Sequence, residues 1–428
     1  MALFAALVAL IALAALVAGC GPASDDDDDA GDDSGGDDDA GDPQAEGPYT
    51  LPDTGQTDCY DEMNQVIACP SSGNLFGQDA QYTTNAPSYT DNGDGTVTDN
   101  VTGLMWQQTP GDKMTWDEAA NGADGFELAG YDDWRLPSID ELYSLIDFAG
   151  ATGTGSFEEV PDDAIPYIDT DVFDFEYGDT GAGERFIDAQ YWSATKYVST
   201  TMDGNETAFG VNFADGRIKG YGLVGGAGDM TEFVRYVRGN AYGGNDFASN
   251  GDGTITDNAT GLMWTEGDSG SLGGGDGGAM DWPDALAWCE ALSEAGYDDW
   301  RLPNAKELQG LVDYSRSPAT TDSAAIDPLF TATPIVDEGG GENWAYYWTS
   351  TTHDDGPDFA AYIAFGEALG CMEIGGSGEK ELMDVHGAGA QRSDPKTMTP
   401  ESTIGCGDGP QGDVLRVLNF ARCVRGGV

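Results

Sequence analysis

Residues 92–106 read NGDGTVTDNVTGLMW, and residues 250–264 read NGDGTITDNATGLMW. A second phrase, GYDDWRLP, stands unchanged at 130–137 and 296–303. Fainter echoes keep the same order: YWSAT at 191 and YWTST at 347, VNFADG at 211 and IAFGEA at 363, VRYVRG at 234 and ARCVRG at 421. A collinear repeat of roughly 160 residues is too long for a solenoid unit and suits a duplicated globular domain. The two copies can therefore be read against each other.

Each copy opens with a hairpin. Asn92-Gly93-Asp94-Gly95 makes a turn, Thr96 to Asp99 alternates as a strand, Asn100 to Gly103 turns again, and Leu104-Met105-Trp106 returns. A helix follows. In copy two Asp281 can cap it, and Ala285, Trp288, Cys289 and Leu292 share one face. In copy one Thr115 and Glu118 form a capping box, but Gly122 and Gly125 predict a shorter helix. After DWRLP a second helix begins, with Ser138 and Glu141, or Asn304 and Glu307, as its box. Its apolar stripe is Leu142, Leu145 and Ile146 in one copy, and Leu308, Leu311 and Val312 in the other. A long Gly/Asp-rich loop and three short strands (191 or 347, 211 or 363, and the terminal VRxVRG) close each copy. The order predicts an α+β fold: two tandem domains, each with two helices and a small antiparallel sheet. The expected boundaries are a leader over 1–19, a tether over 20–47, a lead-in over 48–85, and domains over 86–240 and 244–428.

The leader is an apolar run from Leu3 to Ala18 that ends in Val17-Ala18-Gly19-Cys20. That pattern predicts a lipoprotein signal peptide, cut before Cys20, with acyl chains on its thiol. An ordinary signal peptide with an incidental Cys is the alternative. The tether carries 12 acids and no base, which suits an extended, self-repelling segment. The rest of the chain sets 65 acids against 17 bases, or −48 of the total −60. Such a charge argues against nucleic acid and against anionic membrane, leaving membrane contact through the lipid anchor only.

Six further Cys are even in number, as expected of an exported protein. Cys59 and Cys69 are neighbours in the lead-in, which favours a local loop. Aligned on GYDDWRLP, Cys289 falls opposite Ala123; aligned on the terminal motif, Cys423 falls opposite Tyr236. Both are missing together from copy one, which predicts Cys289–Cys423 and, by remainder, Cys371–Cys406.

Two motifs invite chemistry. The oxygen-rich turn admits a calcium site over Asn92, Asp94 and Asp99, with Asn250, Asp252 and Asp257 in copy two. An EF-hand is excluded, because its twelfth ligand would be Val101 or Ala259. The other reading is a turn that needs Asn, Gly and Asp for its dihedrals. In DWRLP, Trp134 with Arg135, and Trp300 with Arg301, could bind a carboxylate or sugar; the alternative is a core Trp and an Arg paired to a buried acid. The two His, His353 and His386, have no zinc-ligand spacing, and no GxSxG, HExxH or P-loop occurs.

The succession NGDGTVTDNVTGLMW, an amphipathic helix carrying a Cys, DWRLPN-x-x-EL, YWTST and terminal RCVRG resembles the C-terminal domain of the Legionella collagen-like protein, a bacterial extracellular family of unknown function. The lead-in LPDTGQTDCYD is similar to segments that precede such domains. The resemblance implies a surface-attached binding domain. Its namesake is an adhesin for sulfated glycans, a ligand class ill-suited to so acidic a chain. The pattern R-L-P-(S/N)-x-x-E at 135–141 and 301–307 also resembles formylglycine-generating enzymes and their C-type-lectin-like relatives, a resemblance that implies a C-type-lectin-like fold and says nothing of activity. The Glu-Pro-Asn and Trp-Asn-Asp calcium motifs of sugar-binding C-type lectins are absent. The expectation is a lipid-anchored protein of the cell envelope, in the outer membrane or at the surface, non-enzymatic, that binds an extracellular glycan, matrix or protein ligand. The alternatives are an enzyme acting on surface polymers or protein side chains, and a structural envelope spacer.

Overall fold

The computed structural model describes residues 49–427 apart from 227, 355–357, 374–377, 399–404 and 408–410. The expected leader, the acylation at Cys20 and the acidic tether lie outside the described residues. Copy one runs β1 (Tyr89–Asp91), β2 (Thr96–Asp99), β3 (Met105–Gln107), α1 (Trp116–Gly122), α2 (Ile139–Ser144), β4 (Gln190–Thr201), β5 (Asn205–Asn212), β6 (Arg217–Gly222) and β7 (Val237–Arg238). Copy two runs β8 (Phe247–Ser249), β9 (Thr254–Asp257), β10 (Met263–Thr265), α3 (Trp282–Glu290), α4 (Ala305–Gln309), α5 (Pro318–Thr321), β11 (Tyr346–Thr352) and β12 (Phe359–Ala364). It continues with the hairpin β13 (Leu369–Glu373) and β14 (Lys380–Asp384), then β15 (Gln391–Pro395) and β16 (Val424–Arg425). Among the described residues the molecule is thus mostly antiparallel sheet with five short α-helices.

Local chemistry explains the helix starts. Thr115, Ser138 and Asn304 each accept the N–H of the residue three positions on, and that residue's Glu returns the bond to the cap. Asp281 caps α3 and Pro283 follows in its first turn, where no N–H is needed. Copy one's first helix is the shorter, as expected. Gly122 also has a packing reason: a Cβ there would come within 2.9 Å of the Tyr236 hydroxyl.

Each opening hairpin joins its copy's closing strand in a four-stranded sheet, β7–β3–β2–β1 and β16–β10–β9–β8. The expectation of one small sheet per copy is incomplete. Six of the other strands merge into a single sheet, β11–β12–β15–β6–β5–β4, whereas β13 and β14 pair with each other. Its centre is the antiparallel pairing of β15 with β6, where Gln391 faces Ile218. Ile218 pairs with Val211 and Gln391 with Ile363, so the two facing residues hold the same place in their copies. The seam is therefore isologous, and it hides two strand edges, one from each copy.

One large apolar cluster spans this seam and draws on α2, α4 and both halves of the sheet. Each copy also has its own satellite: Trp134, Trp192 and Tyr236 in one, Trp282, Trp300, Trp348 and the Cys289–Cys423 pair in the other. The lead-in straddles both copies. Gln56 donates to the carbonyls of Phe148 and Thr352, and the Lys306 ammonium donates to those of Asp53 and Ser144. Cys59–Cys69, Cys289–Cys423 and Cys371–Cys406 are disulfides.

Candidate functional site

The DWRLP words build scaffold. Trp134 and Trp300 are 4% and 1% exposed, so neither offers a ring to a ligand. Arg301 forks onto Glu307 at 2.7 and 2.6 Å and also donates to the Gly426 carbonyl. Arg135 forks onto Glu141 in the same way. Each Glu is at once the ion-pair partner and the N3 residue of a capping box, since it accepts from the backbone of Ser138 or Asn304. The motif thus clamps the entering strand to the helix start, and the reading of Trp134, Arg135, Trp300 and Arg301 as a ligand platform is corrected to a structural one.

The oxygens of the hairpin turns are directed inward. Asn92 donates to the hydroxyls of Thr96 and Thr98, and Asp94 accepts from the Thr96 amide and hydroxyl. Asp99, buried, accepts from Val101 and Thr102. Asn250, Asp252 and Asp257 repeat these bonds. Gly93 and Gly95 have φ of +72° and +88°, as a turn of this kind requires. Among the described residues no three His, Cys, Asp or Glu side chains are grouped as a metal site.

The two His line the seam. His353 contacts the Gly216 carbonyl and stacks on Tyr167, and burial pushes its pKa down to about 3. His386 faces Asp413 at 2.9 Å, and burial pushes its pKa down to about 4. Asp413 also meets Arg392, and across the seam Asp215 holds Arg217 and Lys219 at 3.3 Å. This network carries charge on central strands without opening to solvent at either imidazole.

The open place lies beside it, in copy one. A cleft of about 620 Å³ is bordered by β6 and by Thr231–Glu232, a two-residue strand that pairs with Met114–Thr115. That size suits a small-molecule or side-chain ligand. Lys219, Tyr221 and Gln190 line it, and Met230 and Met372 sit on its walls. Glu232 is 3% exposed and lines the same cleft. Among the described residues no side-chain hydrogen bond or ion pair reaches it, and burial pushes its pKa up to about 8. The Tyr221 hydroxyl is also buried without a partner. Orphaned polar groups in a cleft are costly unless a ligand or water completes them. Sequence reasoning missed this site. Glu232 and Tyr221 lie where the copies differ, and a lone Glu in so acidic a chain carries no signal.

The molecule is a duplicated, mainly antiparallel protein whose copies share one sheet and differ in one cleft. The chain belongs to the Lcl C-terminal domain family, whose model matches residues 95–238 and 253–381. The second match stops within the β13–β14 hairpin, an excursion that copy one replaces by the short turn 213–216. No curated protein and no solved structure matches the chain significantly.

Proposed function

We propose that this is a binding protein of the bacterial surface, held by a lipidated Cys20 on an acidic tether, and that neither copy is an enzyme. We further infer that each copy is an α+β unit of C-type-lectin-like kind. The supporting observation is the copy-one cleft: roomy, bordered by strands, and carrying two buried polar groups that await a partner. The ligand would be a glycan, matrix component or protein met outside the cell. The shared words are consumed in scaffold, so recognition falls to the places where the copies differ. A glycan and matrix-protein array, probed with the chain in calcium and again in chelator, should retain it. Glu232→Gln should weaken that retention, and loss of retention in chelator would bring the Asp94 and Asp252 turns into the site. Turnover of an arrayed polymer without retention would overturn the binding reading in favour of an enzyme.

A further inference from the structure

The sheet registers place copy two's residues onto the copy-one cleft. Val211 corresponds to Ile363, so Tyr221, opposite Ala208, corresponds to Asp394, opposite Ala360. Gln190 and Tyr346 each precede the Tyr-Trp pair. Glu232 and Asn419 each precede the Phe that bridges in parallel to that Tyr, Phe233 to Tyr191 and Phe420 to Tyr347. The cleft lining Gln190, Tyr221 and Glu232 thus becomes Tyr346, Asp394 and Asn419 in copy two.

Those three residues surround an arginine. The Arg416 guanidinium lies 4.0 Å from the centre of the Tyr346 ring and forks onto Glu338 at 2.8 Å. Its amide donates to Asp394, and its carbonyl accepts from Asn419. Copy two therefore fills this place with an arginine of its own, on the long connection between β15 and β16: its main chain meets Asp394 and Asn419, and its guanidinium stands over the Tyr346 ring. Copy one crosses from β6 to β7 by a shorter path, and on the same register an acid, Asp229, stands opposite Arg416.

The copy-one cleft keeps the chemistry that such a group needs, with its parts exchanged between strands. The aromatic ring is Tyr221, which lies over Gly210 where copy two has Tyr362. The buried acid is Glu232. The cations that line the cleft are engaged: Lys113 with Glu184 at 2.7 Å, Arg185 with Asp188 at 2.6 Å, Lys219 with Asp215. A chain of net charge −60 also draws cations toward it at long range.

We propose that the copy-one cleft binds a guanidinium group, supplied by an arginine side chain of a partner protein, in the place that Arg416 fills in copy two. The proposal rests on the binding reading and narrows it to a ligand chemistry. A bound cation beside Glu232 would offset the burial that holds its proton.

The test uses the full chain with its methionine methyls labelled. N-acetyl-arginine amide should shift the Met230 and Met372 signals, and its neutral isostere N-acetyl-citrulline amide should not. A capped Gly-Arg-Gly peptide should bind more tightly than agmatine if the source is a protein side chain; agmatine binding the more tightly would move the assignment to a small metabolite and overturn that part. Glu232→Gln should weaken the arginine amide by about tenfold or more, as loss of a buried counter-charge does. Equal shifts with the citrulline compound, or shifts with N-acetyl-glutamate instead, would overturn the proposal. Silent methyls in a chain that an array still retains would sink the guanidinium reading and leave the binding reading standing. Shifted methyls with an array that retains nothing would do the reverse to a glycan ligand.

Discussion

The same pocket of space in the two copies is closed by different chemistry. In copy two, Cys289 on α3 is bonded to Cys423 beside β16. In copy one, Ala123 and Tyr236 stand there, and the tyrosine hydroxyl donates to the Ala119 carbonyl on α1. Around these unlike pairs the neighbours agree. Trp192 and Trp348 donate to the carbonyls of Met114 and Met280, and Trp116 and Trp282 to those of Ser193 and Thr349. The fold asks that this volume be filled and the closing strand held; it leaves open whether a covalent bond or a phenol does so. The copy with the covalent bond is also the one whose cleft is plugged, whereas the copy closed by packing keeps its cleft open.

That comparison can be broken by removing each closure in turn. The disulfide joins residues 134 apart, so Cys289→Ala with Cys423→Ala should cost about 4 kcal/mol of unfolding free energy, read from denaturant midpoints. Tyr236→Ala empties the equivalent volume and should cost about 3 kcal/mol. If Tyr236→Ala costs nothing, the two closures are not equivalent.

The Arg–Glu clamps sharpen the contrast at a lower cost. The side chain of Arg301 is 3% exposed and that of Arg135 is 36% exposed, although both fork onto a buried Glu. Arg301→Ala strands Glu307 in the core and should cost about 3 kcal/mol. Arg135→Ala leaves Glu141 nearer to water and should cost about 1 kcal/mol. Equal losses would mean that burial of the guanidinium does not set the strength of the clamp.

The smallest effect is one of slope. Asp140 on α2 and Lys306 on α4 hold the same helix position, one residue before the clamp Glu. Burial pushes Asp140 up to about 7 and Lys306 down to about 8. Between pH 4 and 7 the folded chain holds a proton at Asp140 that the unfolded chain has lost, so this group makes stability fall as pH rises. Between pH 8 and 10.5 the unfolded chain holds the proton at Lys306, so that group makes stability rise with pH. The bond that Asp140 accepts from Gln309 holds back part of its rise. Asp140→Asn should flatten the acid side of the stability profile and Lys306→Gln the alkaline side; a profile unchanged by both would contradict the assignment.

Much of the scaffold was legible because its signals are local. Capping boxes, the Asn-Gly-Asp-Gly turns and the apolar stripes are read within a few residues, and the paired loss of Cys289 and Cys423 needed only the second copy for comparison. The seam was not legible. Its strand β6 reads RIKGYG, with Arg217 and Lys219 both buried, and β15 reads QRSDP with Arg392 and Asp394 buried. Charged residues at strand spacing read as loop unless their counter-ions are known; Asp413 comes from far along the chain, and Asp215 sits in the turn just before β6. The cleft was hidden for a related reason: its meaning lies in Arg416, far along the chain, opposite an acid in copy one.

The isologous seam bears on how such a difference could arise. In a dimer of identical chains each substitution is written on both faces at once, and a plug gained on one side is gained on the other. Fusing the two halves into one polypeptide makes their meeting independent of concentration. It also lets each half change by itself. An inner surface built on a two-fold plan can then hold one vacancy and one occupant, a lock whose spare key is built into its twin.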